Sequence, residues 1–564
     1  MRRGMWARWL TGAAVGLGMA AAFTAGLAAQ APPQSATPAA SEPLSVKVDR
    51  IFERWDRPGS PGCAVGVAQQ GRVVYVQGYG MANLEYGVRI RPDTVFESGS
   101  VAKQFTAAAI ALLVQDGKLA LQDPARKYGP ELPDFGTPIT LRHLLNHTSG
   151  LRSQWPMLAL AGRPATQAVH TVDEILELVS GYAELNFTPG DEYLYNNTAF
   201  TLLGVIVSRV SGKSLNGFMQ ERLFMPLGMR RTQWRDDFTA IVEGRATAYR
   251  MGPGGQFRTL MPFTNVIGNG GLLSTVGDWL IWNENLDNPR VGGKAMVEQL
   301  QTRGRLNDGF VNEYAQGLTV ADYRGAREIS HGGSTAGYQT FLARWPDERL
   351  SVAVMCNTTG TNPAGYAHQV ADVILGEKLA PKPTMTAVEV PADRLRRLAG
   401  VYREPKTDAL VRITYDEKAK GIRAGGAALV PTGANVFTAA EGPRTFTVDE
   451  TTRGGARRIT ETDGKSRPRV WEAQPPFVPT AQQLAEFAGE YVCPELQVTY
   501  TVYVEGSALK IRFRPAQRLT LTPAFPDGFE EGGDTFRFTR APAGRIDGFQ
   551  VYAGRVWHLR FVRQ

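Results

Sequence analysis

Cysteine is scarce: the 564 residues hold three, Cys63, Cys356 and Cys493, and none has CxxC spacing. So few thiols cannot build a disulfide framework or a thiolate metal site. Cys63 in GCAVGVAQ and Cys356 in SVAVMCN sit in strand-like segments and read as small buried hydrophobes, with one bridge left open in an oxidising compartment. Clustered charge is missing too. The net charge is +8, but the basic residues are scattered and form no DNA or RNA motif, which argues against a nucleic-acid partner. Histidine is limited to six residues. His143 and His147 are spaced i, i+4 on a predicted helix, but no Glu follows His143 and no third ligand suggests itself. Packing and capping are therefore preferred to a metal site. His170, His368 and His558 are isolated. No low-complexity block of domain length interrupts a composition of 43% hydrophobic and 21% charged residues, so the bulk folds.

The one long apolar run lies at the start. Arg2, Arg3 and Arg8 precede an apolar stretch from Trp9 to Leu27 and small residues from Ala28 to Ala31. This reads as a secretory signal peptide over residues 1–30. A membrane anchor competes, but the Gly and Ala content and the small-residue exit favour cleavage. The expected location is periplasmic or secreted, with no stable membrane anchor after cleavage. Residues 31–45, rich in Pro, Ala and Ser, suit a flexible lead.

A chain of this length exceeds one ordinary core. Helix-like periodicity around Val48 to Trp55 is followed by two paired strands, GCAVGVAQQ and VVYVQGYG. Helices are expected at Val101 to Val114, Leu141 to Leu145, Val172 to Val179 and Ala199 to Val210, and strands resume at Tyr338 to Ala343 and Leu350 to Met355. Strands from both ends thus enclose a helical middle, a mixed α/β (α+β) order unlike a doubly wound fold. Past this region Pro381, Pro383 and Pro391 mark a break and alternation replaces helical periodicity. LAGVY at Leu398 to Tyr402 recurs as FAGEY at Phe487 to Tyr491, with Pro475, Pro476 and Pro479 between the copies. Two copies are too few for a solenoid, so two small antiparallel β-barrels or curled sheets of roughly eighty residues each are expected. The boundaries read as a domain over 46–380, a linker over 381–392, one repeat over 393–474, a linker over 475–483 and a second repeat over 484–564.

The chemistry gathers in three short segments. FESGSVAKQFTAAAI puts Ser100 just before a helix and Lys103 one turn on, on the same face. A hydroxyl needs a base before it becomes a good nucleophile, and a desolvated amine can serve. Ser507 and Lys510 repeat the spacing, but in an alternating strand where residues three apart face opposite ways, so chance explains them. In GDEYLYNNTAF, Tyr195 and Asn197 precede an apolar helix. A lysine ammonium nearby would favour the Tyr195 phenolate and make it a proton shuttle, while Asn197 could bond Lys103 and a substrate amide. The bland alternative is that Tyr195 packs its ring and Asn197 caps the helix. SHGGSTAGY, Ser330 to Tyr338, has glycines that let a ligand approach a strand edge, where the Ser334 amide would join that of Ser100 as an oxyanion donor. Trp155, Met157, Leu158 and Leu160 either wall the substrate or pack in the core.

Ser-x-x-Lys, Tyr-x-Asn and a strand-edge His-Gly-Gly, in this order, resemble the serine β-lactamase and penicillin-binding-protein superfamily. PGCAVGVAQQGRVVY, LRHLLNHTSGL and GNGGLLSTVGDW are similar to that family as well. The resemblance implies a β-lactamase/transpeptidase-like catalytic domain, and the layout with two C-terminal lipocalin-like repeats resembles the D-aminopeptidase group. Where β-lactamases carry Lys-Thr-Gly, this chain has His331, Gly332 and Gly333, so a fixed cation becomes a mostly neutral imidazole. A peptidase or esterase is thereby favoured over a true β-lactamase. The expected reaction is acyl transfer to water through a Ser100 acyl-enzyme, with Lys103, Tyr195 and Asn197 assisting. His331, Gly332, Gly333 and Ser334 would line the substrate, which is a small peptide, ester or β-lactam. No cofactor and no metal are called for. The alternative is a non-hydrolytic envelope protein that keeps the pocket to bind peptidoglycan fragments.

Overall fold

The computed structural model describes residues 42–165, 168–450, 456–464, 466–514 and 517–564. The signal-peptide reading and nearly all of the expected lead lie outside the described residues. The first helix, α1 (Leu44–Phe52), begins within the last residues assigned to that lead.

Six strands form the main sheet: β1 (Cys63–Gln69), β2 (Arg72–Tyr79), β3 (Thr319–Tyr323), β4 (Ala326–Thr335), β5 (Tyr338–Trp345) and β6 (Leu350–Cys356). Their order is β3-β4-β5-β6-β1-β2, and every neighbouring pair is antiparallel. The period of two sorts side chains between faces. Cys63, Val65 and Val67 of β1 and Val352, Val354 and Cys356 of β6 join one core with α1 and a late helix, Pro363–Leu375. Ala64, Ala353 and Met355 point to the other core. On that side Gly66 lets the helix Val276–Asp287 come close: a Cβ there would stand 3.1 Å from Leu280 and 3.2 Å from Val276. Cys63 and Cys356 are register partners and form a disulfide. Both are buried, as expected, and the bridge that the sequence left open is made because adjacent strands point the two side chains to the same face. Cys493 is free and buried.

The helical middle contains α2 (Ala102–Gln115), α3 (Leu141–Leu145), α4 (Gln154–Leu160), α5 (Val172–Ser180) and α6 (Asn197–Ser211). α2 is mostly apolar and buried over nearly its whole length, with Lys103, Gln104 and Thr106 buried among its alanines and leucines, as befits a helix at the centre of a large core.

The C-terminal region is two closed eight-stranded antiparallel barrels, from Gly400–Arg403 to Arg469–Ala473 and from Gly489–Cys493 to Leu559–Arg563. The repeated motif has one physical job in both. Tyr402 donates to the carbonyl of Leu398 at 2.9 Å, and Tyr491 to that of Phe487 at 2.7 Å, tying each first strand to the short helix before it. The barrels differ in attachment. The first has its own core, whereas the second shares one continuous apolar cluster with the helical middle. Tyr500 donates to the Leu160 carbonyl at 2.6 Å, and fully buried Arg152 pairs with Glu495. Lys510, of the second Ser-x-x-Lys, lies on a barrel strand and pairs with Glu505.

Candidate active site

Ser100 sits in a 3-10 turn, Gly99–Val101, that runs into α2. The turn is fixed from both sides. Ser98 donates its amide to the Leu272 carbonyl at 2.8 Å, and its own carbonyl accepts from Thr340 of β5 at 2.8 Å. Two glycines make the approach of β4 possible. A Cβ on Gly333 would lie 2.0 Å from the Ser98 carbonyl and 3.1 Å from the Ser100 nitrogen. A Cβ on Gly99, which has φ +51°, would lie 2.5 Å from the Ser334 nitrogen. The Ser100 turn and the Ser334 amide are therefore neighbours, as an oxyanion site requires.

Lys103 is completely buried and makes three hydrogen bonds: to Ser100 Oγ at 3.1 Å, Asn197 Oδ1 at 2.9 Å and the Asn269 carbonyl at 2.7 Å. The Asn269 carbonyl arrives through the GNGG loop, where Gly268 adopts φ +93° and a Cβ would strike the Phe200 carbonyl at 2.5 Å. Burial, reinforced by the charge of Arg555, pulls the lysine well below its ordinary pKa. Carbonyl oxygens only accept, so a neutral amine gives its two hydrogens to Asn197 and Asn269. Its lone pair is then left facing the Ser100 hydroxyl.

Tyr195 and Asn197 are held by LRHLLNHTSGL. The carbonyls of His147, Thr148 and Gly150 accept from the amides of Leu194, Gly190 and Asn186 at 2.9, 2.8 and 2.7 Å, and His147 Nδ1 accepts from the Asn196 amide at 3.1 Å. The helix cap is Asn196, whose Oδ1 accepts from Ala199 at 2.9 Å, which frees Asn197 to reach Lys103. His143 instead forms a capping box with Thr140. Among the described residues no group of three or more metal-ligating side chains comes together. The Tyr195 ring lies 4.3 Å from that of His147 and 4.9 Å from the lysine nitrogen. Its hydroxyl is buried beside Ser100 without a well-aligned hydrogen bond. Burial pushes the phenol up, against smaller opposing effects of Ser100 and Arg555. The expectation of a favoured phenolate is thus corrected: with the lysine also desolvated, the ammonium that would have stabilised it is itself disfavoured.

His331 is buried, and burial with the nearby Lys103 lowers its pKa to about 3. Nδ1 donates to the Gly332 carbonyl at 2.6 Å, so Nε2 accepts from the Tyr314 hydroxyl at 3.1 Å. The imidazole is neutral and fully used.

These residues open onto a cavity of about 750 Å³ lined by Ser100, Tyr195, Asn197, His331, Gly332, Gly333 and Ser334. Trp155 lines it as well, while Met157, Leu158 and Leu160 are core. Arg555, in the loop before the last barrel strand, enters the same cavity and lies 4.7 Å over the Tyr195 ring. No motif announced it, nor Asn269, which the quoted GNGG phrase contained without a role.

Residues 48–376 match the family model described as Beta-lactamase. The chain belongs to the beta-lactamase family. This member of the beta-lactamase family is similar to a D-aminopeptidase of Gluconobacter oxydans (strain 621H), 29% identical over 458 residues, 80% of this chain and 83% of that protein. A D-aminopeptidase of Brucella anthropi is 30% identical over 322 residues, 56% of this chain and 59% of its own length. Its fold is similar to that of the octameric penicillin-binding protein homologue from Pyrococcus abyssi, with 22% identity, a TM-score of 0.53 and coverage of 85% of this chain and 99% of that one. It is also similar to that of the D-amino acid amidase from Ochrobactrum anthropi SV3, with 22% identity, a TM-score of 0.51 and coverage of 59% and 99%.

Proposed function

We propose that this chain is an exported serine hydrolase that cleaves small amides or esters, foremost those of D-amino acids, through an acyl-enzyme on Ser100. The observation that carries this reading is Lys103, buried without a carboxylate partner among the described residues and with two accept-only oxygens turning its lone pair toward Ser100. As Ser100 Oγ bonds to the substrate carbonyl carbon, its proton passes to Lys103, and the oxyanion is held by the Ser100 and Ser334 amides. Tyr195, a neutral phenol, gives its proton to the leaving nitrogen or oxygen as the bond to carbon breaks and takes one from Lys103. Water then adds to the ester, losing its proton along the same path, and Ser100 is regenerated. The 29% identity to a D-aminopeptidase supports D-residue amides, and the neutral His331 leaves the β4 edge without the fixed cation of a Lys-Thr-Gly motif.

Export rests on residues 1–30 and is supported by the Cys63–Cys356 disulfide, which suits an oxidising compartment. A panel of p-nitrophenyl esters, D-amino-acid p-nitroanilides and nitrocefin, run on wild type beside Ser100→Ala, tests the activity. Mass spectrometry after a fluorophosphonate probe tests the nucleophile. An adduct on Ser100 with turnover lost in Ser100→Ala is expected; no adduct, with tight muropeptide binding, would overturn hydrolysis in favour of a binding role. Cell fractionation with N-terminal sequencing tests export, with a mature start near residue 31 expected.

A further inference from the structure

The charge balance of the catalytic cavity is uneven. Among the described residues that line it the one carboxylate, Glu97, is taken by Arg235 at 3.1 Å and Arg245 at 3.0 Å. His331 has both ring nitrogens engaged, and Lys103 lies behind Ser100 with its hydrogen-bonding positions filled. That leaves Arg555. Among the described residues no carboxylate pairs with it, and its guanidinium lies over the Tyr195 ring. A guanidinium held over a ring at this distance, with no carboxylate on it, still has N–H donors to offer a planar anion.

The position of Arg555 is built in. Its carbonyl accepts from the Ser153 amide at 3.3 Å and from Asn186 Nδ2 at 3.1 Å. Two residues on, the Trp557 amide donates to Asn186 Oδ1 at 2.8 Å, and the Trp557 carbonyl accepts from Arg152 at 3.3 Å. The barrel loop is therefore clasped to Arg152 and Ser153 and to Asn186, just ahead of the Tyr195 loop, and a cation without a carboxylate partner among the described residues is fixed beside the group that protonates the leaving atom.

We infer that Arg555 is a specificity-determining residue that selects substrates whose leaving group carries a carboxylate, as the amino-acid leaving group of a dipeptide does, and disfavours a cationic leaving group. The inference rests on the hydrolase reading above and names the substrate class of that same site. A carboxylate there would take two N–H donors of Arg555 while its scissile carbonyl sits between Ser100 and the Ser334 amide.

Three anilides sharing a D-alanyl acyl group test it: leaving amines 4-aminobenzoate, 4-aminobenzamide and 4-amino-N,N,N-trimethylanilinium, with product release followed by chromatography. The kcat/KM ratio of carboxylate to amide is expected to fall by about tenfold or more from wild type to Arg555→Gln, the equivalent of one charge-assisted bond. Comparing the ratio between enzymes cancels leaving-group electronics. Arg555→Glu is expected to invert the order toward the trimethylanilinium, and Arg555→Lys to keep part of the preference. An unchanged ratio in both Arg555→Gln and Arg555→Glu would overturn the inference. If these variants do not fold, the wild-type ratio at low and high salt decides: a carboxylate preference that shrinks with salt supports it, and a salt-independent ratio refutes it. Fluorophosphonate labelling of wild-type Ser100 separates the two readings. Labelling without a carboxylate effect sinks only the role of Arg555, whereas no labelling sinks the hydrolase.

Discussion

Asn197→Asp is the sharpest perturbation of the site, because it changes charge and almost nothing in shape. Asn197 Oδ1 accepts from Lys103 at 2.9 Å, and an aspartate there would keep that bond while adding a negative charge. Two unit charges at that distance attract by roughly 6 kcal/mol at an effective dielectric of about 20, an upper bound because the new carboxylate must itself be desolvated. The net effect of such a neighbour is typically a rise of about 1–3 pKa units in the amine. The wild-type lysine is depressed by burial, so the acid limb of kcat/KM, where the base becomes protonated, should move to higher pH by that amount. On the acid side of both titrations each unit costs about tenfold in rate. The assay is a pH profile of p-nitrophenyl ester hydrolysis alongside fluorophosphonate labelling. Recovery toward wild-type rates at high pH distinguishes a protonated base from a damaged fold. A profile of unchanged shape and position would show that Lys103 is not the base.

Three further outcomes follow from the same geometry. Gly333→Ala drives a Cβ to within 2.0 Å of the Ser98 carbonyl and should push β4 from the Ser100 turn, slowing fluorophosphonate labelling by about 100-fold through loss of an oxyanion donor; labelling at the wild-type rate would refute that placement. Glu495→Ala strands the fully buried Arg152 without its close partner and should cost about 3 kcal/mol in urea unfolding, and truncation after Leu375, which also removes the apolar cluster shared with the second barrel, should give insoluble protein. A soluble, cooperative core would contradict this. His331, with a folded pKa of about 3 against an ordinary value near 6.5, favours the neutral form, so its stabilisation is complete above about pH 6.5 and is lost as pH falls toward 3. Thermal midpoints of wild type should drop over that window, and those of His331→Asn should drop less; parallel curves would count against the assignment.

Much of the site was legible because its parts are local. Ser100 and Lys103 lie one turn apart, Tyr195 ends a loop whose next helix opens at Asn197, and the glycines of His331 to Ser334 mark a strand edge, so spacing alone groups each set. Short apolar runs beside turn residues likewise marked β1 and β6, and the LAGVY and FAGEY repeat marked where each barrel begins. Charge states were another matter. An ammonium beside Tyr195 implies a phenolate only while both groups are hydrated, and the depth of burial that reverses this is a property of the whole packed core.

The sequence by itself determined the longer helices, the order of the three segments, the two-barrel tail and the type of chemistry, since each depends on periodicity or on residues a few positions apart. Tertiary structure alone decided that Cys63 meets Cys356 across neighbouring strands, that the Asn269 carbonyl completes the lysine's shell, and that Arg555 reaches the cavity from the last barrel. These contacts join residues that are distant along the chain, and closing such long loops is set by the summed packing of every element between them, which no local pattern encodes.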